Sequence, residues 1–469
     1  MISKRKLSSL ERFFYDRSRL NLHSCFFLGL QLNQLPDKHQ IAHALRSTIA
    51  NHPKLHQNVA IDPEDNIPYI KNVDTIKFDD VVEYVSWDGF DDNTICHIFQ
   101  TYNFPYNIEK PLWKVLVYAK ENRLLLLLDH ALFDGMSAVI FWKSFMSSLS
   151  SDARDDFDLL YELTGDPMVQ EDSHVYENWP TSWSSTLTKA IAGVIFKFMP
   201  SVITSVGKDQ LRFNGYSFPD SLLTHKPDDD SSYEIRNNNR QLNLQVQPDH
   251  LNGILSACKS HQVSLTSFIT ALISMSLQLK IEDGDYSGSK IMIDIPMNTR
   301  GACADVLDIP DTSVIMGNFV AGLNVEYNLG ESEELWQIAR TVQAALNKQT
   351  KTDILETVNK VRLLDVADTT EFIRQKVKAT GPSGTFEVTN LGFQEFADVQ
   401  SNHGYLVEDA VFNEPQGLSD IFTCCIISTP RGGLNCSISY PRALESCLKP
   451  CFDYSRDYLE QELYQEKHT

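Results

Sequence analysis

One segment of this chain sets chemically useful residues close together: Asp129-His130-Ala131-Leu132-Phe133-Asp134-Gly135. Histidine has an unperturbed pKa of about 6.5, so much of it is neutral and basic near pH 7 and it suits general-base work. His130 follows directly on residues 122–129, which include five consecutive leucines, Leu124 to Leu128. So short an unbroken run predicts a strand buried on both faces. A histidine leaving such a strand has a fixed backbone behind it and an imidazole presented at the strand's end. Gly135 is expected to permit a tight turn that residues with a β-carbon resist. Two jobs are open to Asp134. It could orient His130 directly, or it could point away and pin the loop through an ion pair with an arginine. With 13 His and 21 Gly in the chain, His-x-x-x-Asp-Gly arises somewhere by chance with a probability on the order of a few per cent. On these features alone a catalytic histidine and a structural strand-end histidine stand level.

The surrounding elements are read from periodicity and punctuation. Residues 8–20 are expected to be helical and 21–32 to form a strand. A helix follows, capped by Asp37, with Ile41, Ala44, Leu45, Thr48 and Ile49 on one face and Asn51-His52-Pro53 as its stop. Strands over 112–119 and 122–129 flank a turn at Glu121-Asn122, and 137–149 reads as a helix. From about 150 to 235 the chain turns acidic, Ser-rich and punctuated by Trp and Pro, as a crossover between two halves would be. The second half repeats the grammar, with helices over 248–261, 265–279 and 332–348, and a strand over 290–296. A hairpin about Arg431-Gly432-Gly433 and a closing helix over 443–463 end it. The expectation is an α/β body of two similar halves, 1–180 and 236–469, joined by 181–235.

Length and charge narrow the function. The 469 residues exceed one ordinary core and suit two domains or a pseudo-duplicated body. Lys+Arg 41 against Asp+Glu 62 gives a net charge of −21, which repels phosphate backbones and argues against nucleic-acid binding. Nine cysteines form no CxxC pair and no spacing suited to zinc, so no metal and a reducing compartment are expected. The opening Met-Ile-Ser-Lys-Arg-Lys-Leu-Ser-Ser-Leu-Glu-Arg turns charged where a signal peptide needs an apolar stretch, and secretion is not expected. No Gly-x-Ser-x-Gly elbow, P-loop or Rossmann fingerprint occurs.

The His130 segment resembles the HxxxDG signature of the CoA-dependent acyltransferase superfamily, which includes chloramphenicol acetyltransferase, plant BAHD enzymes, peptide-synthetase condensation domains and fungal alcohol acetyltransferases. Other segments agree in order. Asn51-His52-Pro53-Lys54-Leu55 is similar to the family's HPxL stretch, and Pro111-Leu112-Trp113 to its PLW strand opening. Asn298-Thr299-Arg300 followed by Met316-Gly317-Asn318-Phe319 is like the NxR and GN pair, and Thr389-Asn390-Leu391-Gly392 like the [ST]N-x-G strand end. Asp129 stands where condensation domains carry a first histidine, and the DFGWG motif of BAHD enzymes is absent, so the likeness is to the alcohol acetyltransferase branch. Within it, residues 6–17 and 101–107 look most like N-acetylating members that inactivate a sphingosine-like inhibitor of sphingolipid synthesis.

The resemblance implies two chloramphenicol acetyltransferase-like halves with the active site in a channel between them. It implies acetyl-CoA as co-substrate and His130 as general base, acting in a direct attack on the thioester by the amine or hydroxyl of a lipophilic, sphingoid-like acceptor. CoA is an anion, so a local basic patch must work against the chain's net field. Asp134 is given the loop-pinning role with Arg300 as partner, Thr389 or Asn390 the donor to the developing oxyanion, and Gly317 and Asn318 the channel wall. Read without the family, 389–390 is a turn ending a strand, and 317–318 a β-bulge and turn.

A second feature spans 187–206, where Leu187, Ala190, Ile191, Val194, Ile195, Phe198, Met199, Val202, Ile203 and Val206 keep helical spacing. A crossover helix packed on the body is the first reading, and a membrane-surface helix or lid over a lipid acceptor the second. Two lysines and Pro200 argue against a spanning helix. The expected setting is a monomer in the cytoplasm or peripherally on the endoplasmic reticulum. Three other functions compete: a lipid-binding protein on the same fold that has lost catalysis, a short-chain alcohol O-acetyltransferase, and a carrier-protein condensation domain.

Overall fold

The computed structural model describes residues 4–149, 156–164, 174–199 and, with short breaks, 207–465. Its body is two mixed β-sheets, whose strands are numbered in chain order. The first sheet contains β1 (Phe26–Leu32), β2 (Val82–Val85), β3 (Trp113–Tyr118) and β4 (Arg123–Leu128). The second contains β5 (Asn239–Val246), β6 (Lys290–Asn298), β7 (Val320–Asn328), β8 (Phe386–Phe393), β10 (Phe422–Thr429) and β11 (Gly433–Pro441), in the order β5-β11-β10-β8-β6-β7. The remaining strand, β9 (Val407–Asn413), lies late in the chain yet joins the first sheet, whose order is β9-β1-β4-β3-β2.

The leucine run forms the centre of the first sheet. β4 pairs antiparallel with β1, Leu126 opposite Leu28, and with β3, Leu126 opposite Val115. Successive side chains of a strand point to opposite faces. Leu124, Leu126 and Leu128 therefore enter one core with residues of α2 (Lys38–Asn51) and α3 (Gly135–Ser148), while Leu125 and Leu127 enter another with Phe27, Ile98 and Phe99. All five are essentially fully buried, each worth about 1.5–3 kcal/mol. The capping signal before α2 is also realised: the Asp37 carboxylate accepts from His39 N–H and Gln40 N–H, and the helix stops before Pro53.

The second sheet is covered by α5 (Leu265–Lys280), α6 (Leu335–Asn347) and α7 (Glu445–Gln465), whose apolar sides form its core. Leu391 of β8 and Cys425 and Ile427 of β10 point the other way and join the first sheet's core. The expected halves therefore do not each keep their own sheet. β9, from the C-terminal half, pairs antiparallel with β1, Ala410 opposite Leu30. Without it β1 would be an edge strand with unpaired N–H and C=O groups.

Helix α4 (Trp183–Phe198) departs from the packed-crossover expectation in the face it presents. Its small and polar side meets the body: Ser182 and Ser185 donate to Glu356, Lys189 pairs with Asp365 at 2.6 Å, and Gly193 lies against Val366. The apolar row Trp183, Leu187, Ile191, Val194 and Phe198 points outward, each residue more than 50 % exposed. Pro200 and residues 201–206 of the expected amphipathic segment lie outside the described residues. Among the described residues no single helix is long and apolar enough to cross a membrane.

Candidate active site

His130 is fixed from three sides. At the end of β4, Asp129 Oδ1 accepts from the Ala131 N–H at 2.7 Å and from the Tyr106 hydroxyl at 2.9 Å, which sets the first bend of the loop. The imidazole stacks on Phe14 of α1 (Ser9–Arg19), ring centroids 4.3 Å apart, and touches Phe26 of β1 at 4.8 Å. From the other half, Asn318 Nδ2 donates to the carbonyls of both His130 and Ala131, at 2.9 and 3.0 Å. Nδ1 of His130 is buried without a hydrogen-bond partner, while Nε2 is directed at Glu414 Oε2, 3.9 Å away.

This environment decides the protonation state of the ring. Burial, and then the positive charge of Arg17, push the His130 pKa down from 6.5 to about 3, against opposing pulls from Asp134, its own carbonyl and Asn318. The ring is neutral at physiological pH and able to accept a proton. His23, 5.8 Å away between ring centroids, is held well below its ordinary value by burial, Arg17 and His130. Burial has the opposite sign for a carboxyl and lifts Asp129 to about 6, only partly offset by its hydrogen bonds and by Arg17.

Asp134 is engaged elsewhere than at His130. Its two oxygens accept from Arg300 Nη1 and Nη2 at 2.8 and 3.0 Å. The same carboxylate caps α3 by accepting from Ser137 N–H at 2.8 Å, and accepts from Phe319 N–H at 3.0 Å. Burial alone would raise its pKa, but the charge and hydrogen bonds of Arg300, with Phe319 and Ser137, hold it below the ordinary carboxylate value. Arg300 is 1 % exposed and also donates from Nε to the Ile315 carbonyl at 2.9 Å. The fork is thus filled on both sides, one group from each half.

Four residues differ from their expected parts. Gly135 has no positive φ; it opens α3, where a β-carbon would come within 2.8 Å of Leu391 Cδ2, so close approach of the two halves explains it. Asn318 is 1 % exposed and acts as a clamp on the His130 loop, where a channel wall was expected. Gly317 holds φ at +151° beside it and donates its N–H to Ser137 Oγ, tying the same two segments. Asn390 is turned from the site, its Nδ2 donating to Thr266 and its Oδ1 accepting from Gly392 N–H. Alternation along β8 puts Thr389 on the same face as Leu391, towards Gly135.

Other site residues carry no short motif. Phe14, Arg17, His23, Phe26, Glu387 and Glu414 come from α1, the loop before β1, β1, β8 and the segment after β9. Only the opening Leu-Glu-Arg-Phe-Phe-Tyr-Asp-Arg carried a signal, through resemblance. Among the described residues no group of three or more His, Cys, Asp or Glu is placed to hold a metal ion.

Two joined sheets in similar halves, with a neutral strand-end histidine at their junction and an Asp–Arg fork across it, define the condensation-domain and chloramphenicol acetyltransferase-like class of fold. The structure is similar to trichothecene 15-O-acetyltransferase from Fusarium sporotrichioides, with TM-score 0.66 and 11% identity over 97% of this chain and 94% of that one. It is likewise similar to the epimerization domain from the third module of tyrocidine synthetase B, with TM-score 0.59 and 13% identity over 99% and 98%. The alcohol acetyltransferase family model matches residues 6–452. The N-acetyltransferase SLI1 of Saccharomyces cerevisiae is 40% identical over 463 residues, which cover 97% of this chain and 99% of the relative. The chain belongs to the alcohol acetyltransferase family. It is an acetyltransferase, and the family implies acetyl-CoA as its donor.

Two tests follow from the geometry. Asp134→Asn strips Arg300 of its buried counter-charge and should cost about 3–5 kcal/mol in chemical denaturation, with activity falling alongside. A variant as stable as wild type yet inactive would return Asp134 to the orienting role. The second concerns pH. With a folded pKa of about 3 against 6.5, native His130 binds fewer protons than the unfolded chain, so its contribution to stability is complete above pH 6.5 and lost as pH falls towards 3. His130→Gln should therefore flatten the decline of the denaturation midpoint between about pH 6 and about pH 4. An unchanged slope would mean that the ring is charged in the folded protein.

Proposed function

We propose that this acetyltransferase moves the acetyl group of acetyl-CoA to the amine of a lipophilic acceptor, in a ternary complex, with His130 as general base. The observation that carries the reading is the state of His130, a neutral imidazole in an apolar cage with Nε2 aimed at the junction of the halves. Such a base takes the proton of the attacking atom as it adds to the thioester carbonyl, and returns it to the departing thiolate. No acyl-enzyme is required. Negative charge gathers on the thioester oxygen, and Thr389, on the β8 face towards Gly135, is the candidate donor to it.

Asp134, Arg300, Ser137 and Asn318 are positioning residues, since they act on the loop backbone and its packing. The choice of an amine is supported by the 40% identity to an N-acetyltransferase over 97% of the chain. A lipophilic acceptor is supported by the likeness to members acting on sphingosine-like molecules and by the rings of Phe14 and Phe26 about the base. The outward apolar row of α4 supports peripheral contact with a lipid surface, from which such an acceptor would come, and the cytoplasmic side of the endoplasmic reticulum is the proposed setting.

Thiol release from acetyl-CoA should depend on fatty amines, sphingoid bases or fatty alcohols and should fall by about 10²–10⁴-fold in His130→Ala. Equal rates in both proteins would leave a lipid-binding protein that has lost catalysis, and full rates with short alcohols alone would favour the short-chain O-acetyltransferase. For the membrane contact, wild type should co-sediment with phospholipid vesicles and the Leu187→Ser/Ile191→Ser variant should not, at unchanged melting temperature. Equal sedimentation of both would remove α4 from that role.

A further inference from the structure

Behind His130 the junction holds a group of acids that proton transfer from an alcohol does not require. Glu414 is the partly accessible member and faces His130, their side chains 13 % and 15 % exposed. The carboxyl of Glu387 on β8 lies beside that of Glu414, and burial raises both above the ordinary carboxylate value. His23 is fully buried, neither ring nitrogen has a hydrogen-bond partner, and its Nε2 lies 3.8 Å from the same Glu414 Oε2 that His130 faces at 3.9 Å. Two imidazole Nε2 atoms thus converge on one carboxylate oxygen, each too far for a hydrogen bond to it.

We propose that Glu414, backed by Glu387, binds the acceptor as an ammonium ion and removes its first proton, which makes this a site selective for lipophilic amines over alcohols. The proposal rests on the acetyl-transfer reading with His130 as base. A nitrogen about 2.9 Å from both His130 Nε2 and Glu414 Oε2 is compatible with their 3.9 Å separation.

The proton count explains why two groups are needed. An alkylammonium ion must lose one proton before its lone pair can attack and a second after the C–N bond forms. Glu414 takes the first, leaving a neutral amine. The amine adds to the thioester carbonyl and His130 takes the second. The C–S bond then breaks, the thiolate takes the proton held by His130, and the proton on Glu414 leaves to solvent. The balance is RNH₃⁺ plus acetyl-CoA to the amide, CoA thiol and H⁺. An alcohol has only the one proton that His130 handles.

The charges facing Glu414 agree in sign with a cationic guest. Glu387 on β8, Asp294 on β6 and Asp420 stand against Arg17 on α1 and Lys376 on the helix Thr369–Lys378. Arg17 Nε and Nη2 have no hydrogen-bond partner, so its charge moderates the acids without closing on them. Burial and Glu414 hold Glu387 well above its ordinary value, and burial raises Glu414 as well, against the pull of Arg17 and Glu387.

The test compares dodecylamine with dodecanol as acceptors for the full-length protein with acetyl-CoA. Wild type should prefer the amine, and Glu414→Gln should reduce the amine-over-alcohol ratio of kcat/KM by about 10²-fold and move the amine's pH optimum upward, towards the range where free amine exists. A binding measurement by calorimetry needs no acetylation and no variant: N,N-dimethyldodecylamine should bind at least ~10-fold more tightly than dodecanol, because an ammonium pairs with Glu414 and a hydroxyl does not. An unchanged ratio in Glu414→Gln, no acetylation of the amine, or equal affinity for the two probes would overturn the proposal. Loss of both activities in His130→Ala with that ratio unchanged in Glu414→Gln would sink this inference alone, whereas full activity in His130→Ala would sink the reading beneath it.

Discussion

Arg300 and Asp134 come from opposite halves and meet with both hydrogen bonds of a fork, in a place where water has almost no access. A single such pair is a poor source of net stability, because two charges must first be stripped of water. Its value here is positional. The carboxylate that receives the guanidinium also caps α3 and accepts the Phe319 N–H, so helix, loop and second sheet share one anchor. The backbone from His130 to Gly135 is consequently fixed by contacts from the far side of the junction, and Asn318 reaches from the same segment to the His130 carbonyl. Removing the anchor loosens the base together with the seam.

The site built on that anchor is apolar around the base and acidic behind it. Apolar walls keep the imidazole neutral, and the same exclusion of water lifts nearby carboxyls, Asp129 to about 6. One physical cause thus drives opposite shifts in the two residue types. A neutral base facing a second proton-accepting side chain offers two places for protons in succession, which suits a nucleophile that arrives charged. A chain of net charge −21 must meet anionic CoA with local cations, and Arg17 and Lys376 offset only part of the acid at the junction.

How much of this could be read in advance depends on the range of each interaction. The five leucines, the Asp37 cap and the Ile41, Ala44, Leu45, Thr48 and Ile49 face of α2 are local, and their strand, helix start and buried side appear as the sequence implies. The bond between Asp134 and Arg300 spans 166 residues, and only the likeness to a family put the two together. β9 was illegible because Val-Glu-Asp-Ala-Val-Phe-Asn is a strand only where β1 offers an edge to it. Gly135 was assigned by its usual habit, turn-making, when the requirement is steric and comes from Leu391. Period alone also misled for α4: helical spacing of apolar residues marks a face without saying whether that face meets protein.

The residues whose roles are hidden in the sequence are largely those that assemble the site. Phe14 and Arg17 lie on α1, which also reaches the second half through Asp16 and Thr369. Glu414 follows β9 at once, so the strand that completes the first sheet also delivers the acid facing His130. The two halves are therefore interlocked by the strand and side chains that cross the junction. Each supplies what the other's functional residues need to hold their places, and His130 acquires its neutral state, its orientation and its acidic neighbour only when the junction is closed. A free N-terminal half would keep the leucine core and the strand-end histidine but would lose Arg300, Asn318 and Glu414 together. That dependence explains why the base is set at the seam: the residues that make it a base are the same ones that hold the halves in register.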